Sequence, residues 1–304
     1  MRRLTAICPR ALLAFVCALT PATPAFGQHS PLAGTRDGFV TTRDGVRIRY
    51  LEAGPTGQAG RTAPILFVPG WTMPAEIWEQ QIAHFAKTRR VVAMDPRSQG
   101  LSSQASEGNY PEARARDIKA VVDQLKLAPV VLVGWSLAVK ELVAYVKQFG
   151  CDTIAGLVLV DGAAGLDPQP DVIREVLNRS MRLQRDRPAA AAQFVRGMYK
   201  KPQPPEYLDR ITRATLRTPT PTAIALMLEY VASDFRPDLA SITKPTVIVT
   251  VRRPGEETVK DTQRRIAGAQ VEVMDGVGHA LFVDDPQRFN TIVEGFFKSL
   301  GPTK

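Results

Sequence analysis

The sequence predicts an α/β protein, a mostly parallel central sheet with helices on both faces and an inserted helical cap. Three observations predict it. Short apolar runs alternate with amphipathic segments from about residue 65 to 160 and again from 246 to 300, as strands joined through helices require. Between these blocks, residues from about 171 to 234 carry only helical spacing, punctuated by prolines at 188, 202, 204, 205, 219 and 221. Finally, 44% hydrophobic and 23% charged residues among 304 supply a real core and exclude disorder or a coiled coil.

Each element has its own reason. Residues 39–43 and 46–52 alternate apolar and polar about Asp44-Gly45, a hairpin signal. Residues 65–69 (ILFVP) form a continuous apolar run ending at Pro69-Gly70, as a strand buried on both faces does. A helix over 76–87, a strand over 90–94 ending at Asp95-Pro96, and a helix over 113–127 follow. Strand 130–133, helix 137–149 and strand 157–160 complete the first block. After the helical stretch come strand 246–251, helix 258–267, strand 270–274 and helix 286–300. The expected organisation is a core of residues 28–162 and 241–304, with 163–240 as the cap folded over the strand ends.

Residues 1–27 read as a cleaved signal peptide. Arg2 and Arg3 give a basic start, residues 11–19 an apolar run too short to span a bilayer, and Ala25-Phe26-Gly27 the small residues of a cleavage site. The expected location is therefore secreted or periplasmic, without stable membrane insertion. Cleavage removes Arg2, Arg3 and Arg10 and no acid, lowering the formal charge from +9 to +6. The remaining basic residues are scattered, which argues against nucleic-acid binding. Cleavage also removes Cys8 and Cys17, leaving Cys151 with no partner for an internal disulfide. Oligomeric state is not legible.

The chemistry concentrates on Val130-Val131-Leu132-Val133-Gly134-Trp135-Ser136-Leu137-Ala138, a buried strand, a tight turn and a helix start. A serine at such a corner holds its hydroxyl clear of the backbone at the strand's carboxyl end. The following helix points its positive end at the site. A plain serine N-cap is the bland reading of the same residues. Histidine scarcity favours the chemical one. Of His29, His84 and His279, only His279 follows a strand, in the turn Asp275-Gly276-Val277-Gly278-His279. His84 reads as a helix-surface residue and His29 as part of a tail. Three histidines also leave too few for a histidine-rich metal site, and no cofactor is expected.

The chain resembles α/β-hydrolases of the esterase and non-haem chloroperoxidase-like group over essentially its whole mature length. The matching pieces are Val68-Pro69-Gly70-Trp71, the run 95–102 (DPRSQGLS), the elbow 134–138, and Gly278-His279 with Asp285-Pro286 behind it. The resemblance implies Ser136 as nucleophile, His279 as base, and the amides of Trp71 and Leu137 as oxyanion donors. It departs in two places. Ala138 stands where the family has glycine, and Pro254 occupies the expected position of the triad acid. Asp161, directly after strand 157–160, is the preferred acid, with Glu256 or Glu257 as alternatives; all give the order Ser, acid, His.

The expected substrate is a small-molecule ester, cleaved through an acyl-enzyme. Lactonase, amidase or perhydrolase activity fits the same residues, and a non-catalytic binding homologue is the competing class. Serine at the elbow argues against the aspartate-nucleophile chemistry of epoxide hydrolases and haloalkane dehalogenases. Met73, Trp135, Phe194, Met198, Tyr199, Met227 and Tyr230 are candidates for the pocket wall.

Overall fold

The computed structural model describes residues 32–56, 62–167, 169–252 and 257–301. The expected signal peptide, His29, Pro254 and Glu256 lie outside these residues. One eight-stranded sheet runs in the order β1-β2-β4-β3-β5-β6-β7-β8. Its strands are β1 Arg36–Thr41, β2 Arg47–Ala53, β3 Ile65–Val68, β4 Val91–Met94, β5 Val130–Trp135, β6 Ile154–Val160, β7 Thr246–Val251 and β8 Gln270–Met274. Strand β2 runs antiparallel to both its neighbours, and all pairs from β4 to β8 are parallel.

The helices are α1 Glu79–Phe85, α2 Pro111–Gln124, α3 Ala138–Phe149, α4 Pro170–Arg185, α5 Arg187–Gly197, α6 Pro205–Thr215 and α7 Thr220–Ala232. After β7 come α8 Glu257–Arg265, the short α9 Leu281–Asp284, and α10 Pro286–Ser299. The helix expected over 76–87 is divided: a 3-10 turn, Ala75–Trp78, precedes α1. Helix α9 has no counterpart in the sequence reading, since four residues are too few to show a period.

Successive side chains of a strand point to opposite faces of the sheet. Along β5, Val131, Val133 and Trp135 therefore join one apolar layer and Val130 and Leu132 the other. The first layer is closed by residues of α1, α9 and α10, the second by α2 and α3. Strands β3, β4, β5 and β7 are buried at every position, the reason they read as unbroken apolar runs.

Between β6 and β7 the chain leaves the sheet for α4 to α7. Helices α4 and α7 pack on each other, as do α5 and α6. Prolines at or next to the first positions of all four, Pro170, Pro188, Pro205 and Pro221, suit helix starts, where the missing N–H costs nothing. Among the described residues, no helix is long and apolar enough to cross a membrane, and Cys151 is a buried free thiol.

Candidate active site

Strand β5 ends in a turn that leaves Ser136 at φ 59°. That left-handed conformation is costly for a residue with a side chain and persists only where surroundings enforce it. They do so here. The Ser136 amide donates to Val160 O at 2.8 Å, and its carbonyl accepts from Val139 N at 3.1 Å. Three glycines let the backbone close in. A Cβ on Gly162 would sit 2.3 Å from Ser136 O, one on Gly70 would sit 2.9 Å from Ser136 Cβ, and one on Gly134 would meet Leu142 at 2.7 Å. Ala138, the first residue of α3, is fully buried, so its methyl is accommodated beside the turn.

The structure brings Ser136, His279 and Asp161 together, although 143 and 118 positions of chain separate His279 from the other two. His279 Nε2 lies 3.0 Å from Ser136 Oγ, and His279 Nδ1 lies 2.6 Å from Asp161 Oδ2. Asp161 follows β6 directly, is itself at φ 42°, and its side chain is 2% exposed. Its other oxygen, Oδ1, accepts from Thr250 Oγ1 at 3.1 Å. With a proton on Nδ1 donated to Asp161, Nε2 is left as acceptor for the serine hydroxyl. Such a chain can take a proton from Ser136 and stabilise the resulting imidazolium. Glu257 instead begins α8 with its side chain 75% exposed, 3.4 Å from Lys260.

The histidine loop is pinned by contacts that sequence reasoning did not foresee, the foremost through Asp284, which it did not single out. Asp284 Oδ2 accepts from Gly278 N and from Lys200 N, each at 2.7 Å. Ala280 N donates to Met198 O at 3.0 Å, and Trp135 Nε1 donates to His279 O at 3.0 Å. The α5–α6 connection thus touches the loop directly. A buried aspartate on a four-residue helix leaves no periodic signal in the sequence. Asp285, next to it, stood out in the sequence only through the family resemblance; in the structure it caps α10, accepting from Arg288 N at 3.1 Å.

Trp71 and Leu137 flank the serine, and among the described residues neither backbone amide donates a hydrogen bond within the protein. The Trp71 turn is braced by Gln99, whose Nε2 donates to Gly70 O at 3.0 Å and Met73 O at 2.9 Å. Gln99 Oε1 accepts from Thr72 N at 3.1 Å. Asp95 braces it too, accepting from Ala75 N at 2.6 Å and Leu101 N at 2.8 Å. Burial, with Glu76 nearby, pushes the Asp95 carboxyl up to about 6, against the pull of Arg49. The run 95–102 is therefore structural support.

A cavity of about 620 Å³ opens over Ser136 and His279, with Trp71, Leu166, Phe194, Met227 and Tyr230 in its wall. Met198 lines an adjoining hollow. Met73 and Trp135 are buried in the core instead, so they are packing residues rather than pocket wall. Tyr199 pairs with Tyr207, ring centres 5.9 Å apart, and does not line the cavity. His84 is a helix-surface residue, as its sequence position suggests, 2.7 Å from Glu294.

Lys140, one turn into α3 and fully buried, ties that helix to α7. Its Nζ donates to Tyr230 O at 2.6 Å and also to Ser233 O. Burial lowers the Lys140 ammonium to about 8, with Asp234 and Glu229 opposing the shift.

A mostly parallel sheet carrying a strained serine turn and a histidine loop at its carboxyl edge defines the α/β class of hydrolases. The Alpha/beta hydrolase family pattern matches residues 65–292, and the chain belongs to that family. A bifunctional esterase/perhydrolase of Acinetobacter calcoaceticus is 37% identical over 131 residues, 42% of this chain and 46% of that protein. The matched stretch thus spans less than half of that relative. A non-heme chloroperoxidase of Streptomyces lividans is 25% identical over 285 residues, covering 86% of this chain and 100% of the relative. Among solved structures, an esterase from Exiguobacterium antarcticum superposes with a TM-score of 0.79 at 24% identity, covering 86% of this chain and all of that one. At that identity the likeness concerns the fold alone.

Proposed function

We propose that the protein is a serine esterase acting on small carboxylic esters. The observation that carries this reading is the position of His279, 3.0 Å from Ser136 Oγ and 2.6 Å from Asp161. Ser136 attacks the ester carbonyl while its proton passes to His279 Nε2. The Trp71 and Leu137 amides stabilise the oxyanion. His279 returns the proton to the departing alcohol, leaving an acyl group on Ser136. Water, deprotonated by His279, then releases the acid and restores the serine. The residues require no cofactor or metal.

The A. calcoaceticus relative's name gives reason to test perhydrolysis, in which hydrogen peroxide replaces water at the second step. Export belongs to the same reading and rests on residues 1–27, with 163–240 as the cap. An intact-mass measurement of the secreted protein expressed with its leader tests the cleavage site.

A fluorophosphonate probe tests the nucleophile. Labelling of the wild type and none of Ser136→Ala is expected, with turnover of phenyl acetate falling by about 10⁶ in kcat. Well-folded wild type that neither labels nor hydrolyses any ester would mark a binding protein instead.

A further inference from the structure

Beside the catalytic cavity lies a second, apolar hollow. It is a groove of about 410 Å³ between α4 and α7, lined by Leu166, Ile173, Val176, Leu177, Leu228 and Val231. Three of these side chains are open to solvent: Ile173 43%, Leu177 52% and Leu228 43% exposed. Contiguous apolar exposure of this kind marks a surface that binds something. Leu166 lines both the groove and the cavity over Ser136. The two hollows are therefore neighbours across one side chain. Helix α7 divides its residues between them, Met227 and Tyr230 on the cavity and Leu228 and Val231 on the groove.

The groove offers no unsatisfied charge. Its two ionic side chains, Asp234 and Arg236, engage each other through Arg236 Nε and Nη2 at 2.9 and 2.8 Å. A neutral, purely apolar occupant fits such a lining, and the shared wall residue Leu166 places it one side chain away from the cavity over Ser136. The geometry points to the distal part of a long alkyl chain, carried on the substrate whose ester carbonyl sits at Ser136. The protein on this inference prefers medium- to long-chain aliphatic esters over acetates, and the groove is the chain's outer subsite. The inference rests on Ser136 acting as an ester-cleaving nucleophile.

The test is a chain-length profile of the full protein with p-nitrophenyl acetate, butyrate and octanoate, below their aggregation limits. It includes Leu177→Asp and Ile173→Asn, both at solvent-exposed positions where folding is not at stake. Each buried methylene is worth about a fourfold gain in binding. The wild type is therefore expected to show kcat/KM at least tenfold higher for octanoate than for acetate. In both variants that ratio falls at least fivefold, through KM.

A wild-type preference for acetate, or a ratio unmoved in both variants, overturns the proposal. If the ratio is unmoved while Leu177→Asp weakens binding to phosphatidylcholine vesicles or changes the sedimenting mass, the groove serves a membrane or a second copy, and the proposal also fails. Absence of hydrolysis of every ester, with no fluorophosphonate labelling, sinks the underlying esterase reading instead. Brisk acetate turnover with no gain for octanoate sinks only the alkyl subsite.

Discussion

Helices α3 and α4 follow successive strands of one sheet and have opposite characters. Helix α3 buries nine of its twelve residues, Lys140 and Glu141 among them. Helix α4 buries Leu183 alone among its sixteen. The first begins at the serine turn and is held on every side. The second forms part of the wall over it and leaves apolar side chains exposed. Chemistry needs atoms held within a few tenths of an ångström, which close packing supplies. Substrate choice needs only a wall of suitable shape, and a thinly packed helix can change sequence at little cost to the fold.

Four groups of substitutions sharpen or break that contrast. The largest effect is expected at the acid. Asp161→Asn removes the partner that orients His279 and lowers kcat on an aryl ester by about 10⁴. Glu257→Gln, at an exposed side chain on α8, leaves kcat within about twofold. A reversed result moves the acid to the β7–α8 loop.

Next is the buried ion pair behind α3. Arg114 Nε and Glu141 Oε1 lie 2.8 Å apart, each side chain 1% exposed. Glu141→Leu strands the Arg114 guanidinium and costs about 3–5 kcal/mol by urea unfolding, and Arg114→Met added to it restores most of the loss. The same pair sets a pH dependence. Burial pushes Glu141 from 4.5 up to about 7, against the pull of Arg114. Between those values the folded protein binds the proton that the unfolded chain releases, so stability from this group declines as pH rises from 4.5 to 7. Glu141→Gln flattens that part of the stability–pH curve relative to wild type; an unchanged slope places the titration elsewhere.

Gly162→Ala is expected to cost about 1–3 kcal/mol, because its methyl meets Ser136 O at 2.3 Å. It also lowers kcat by moving the serine turn, which phenyl acetate turnover measures at a temperature where the variant is folded. The smallest effect belongs to α4. Leu177→Asp shifts the urea midpoint by the equivalent of about 0.5 kcal/mol or less. A cost of several kcal/mol would show that α4 is as tightly packed as α3.

Much of the core was legible from residues alone. Strands β7 and β8 coincide with the apolar runs expected at 246–251 and 270–274, because side-chain alternation and turn residues mark strand ends locally. Strand β5 extends past its expected end at 133 to Trp135, since the strand runs into the serine turn without a breaker. Ser136 and His279 stood out by context, one between a strand and a helix, the other after a glycine-rich turn. Asp161 was one acid among three, because a strand-end aspartate looks the same whether it caps a turn or faces a histidine. The pinning role of Asp284 was not legible, and Gln99 was legible only as a member of the matching run 95–102. Their partners, Gly278 and Lys200 for one and Gly70 and Met73 for the other, are chosen by packing.

By itself, then, the sequence determined the alternation of strands and helices and the serine corner, features governed by neighbours a few residues apart. Only the tertiary structure decided which acid meets His279, which side chains brace the turns, and which aromatic residues line the cavity rather than fill the core. Those outcomes depend on distances between segments set apart in the chain, by 118 positions for Asp161 and His279, 84 for Lys200 and Asp284, and 29 for Gly70 and Gln99. Local propensity carries no information about them, and the packing of the sheet against its helices does.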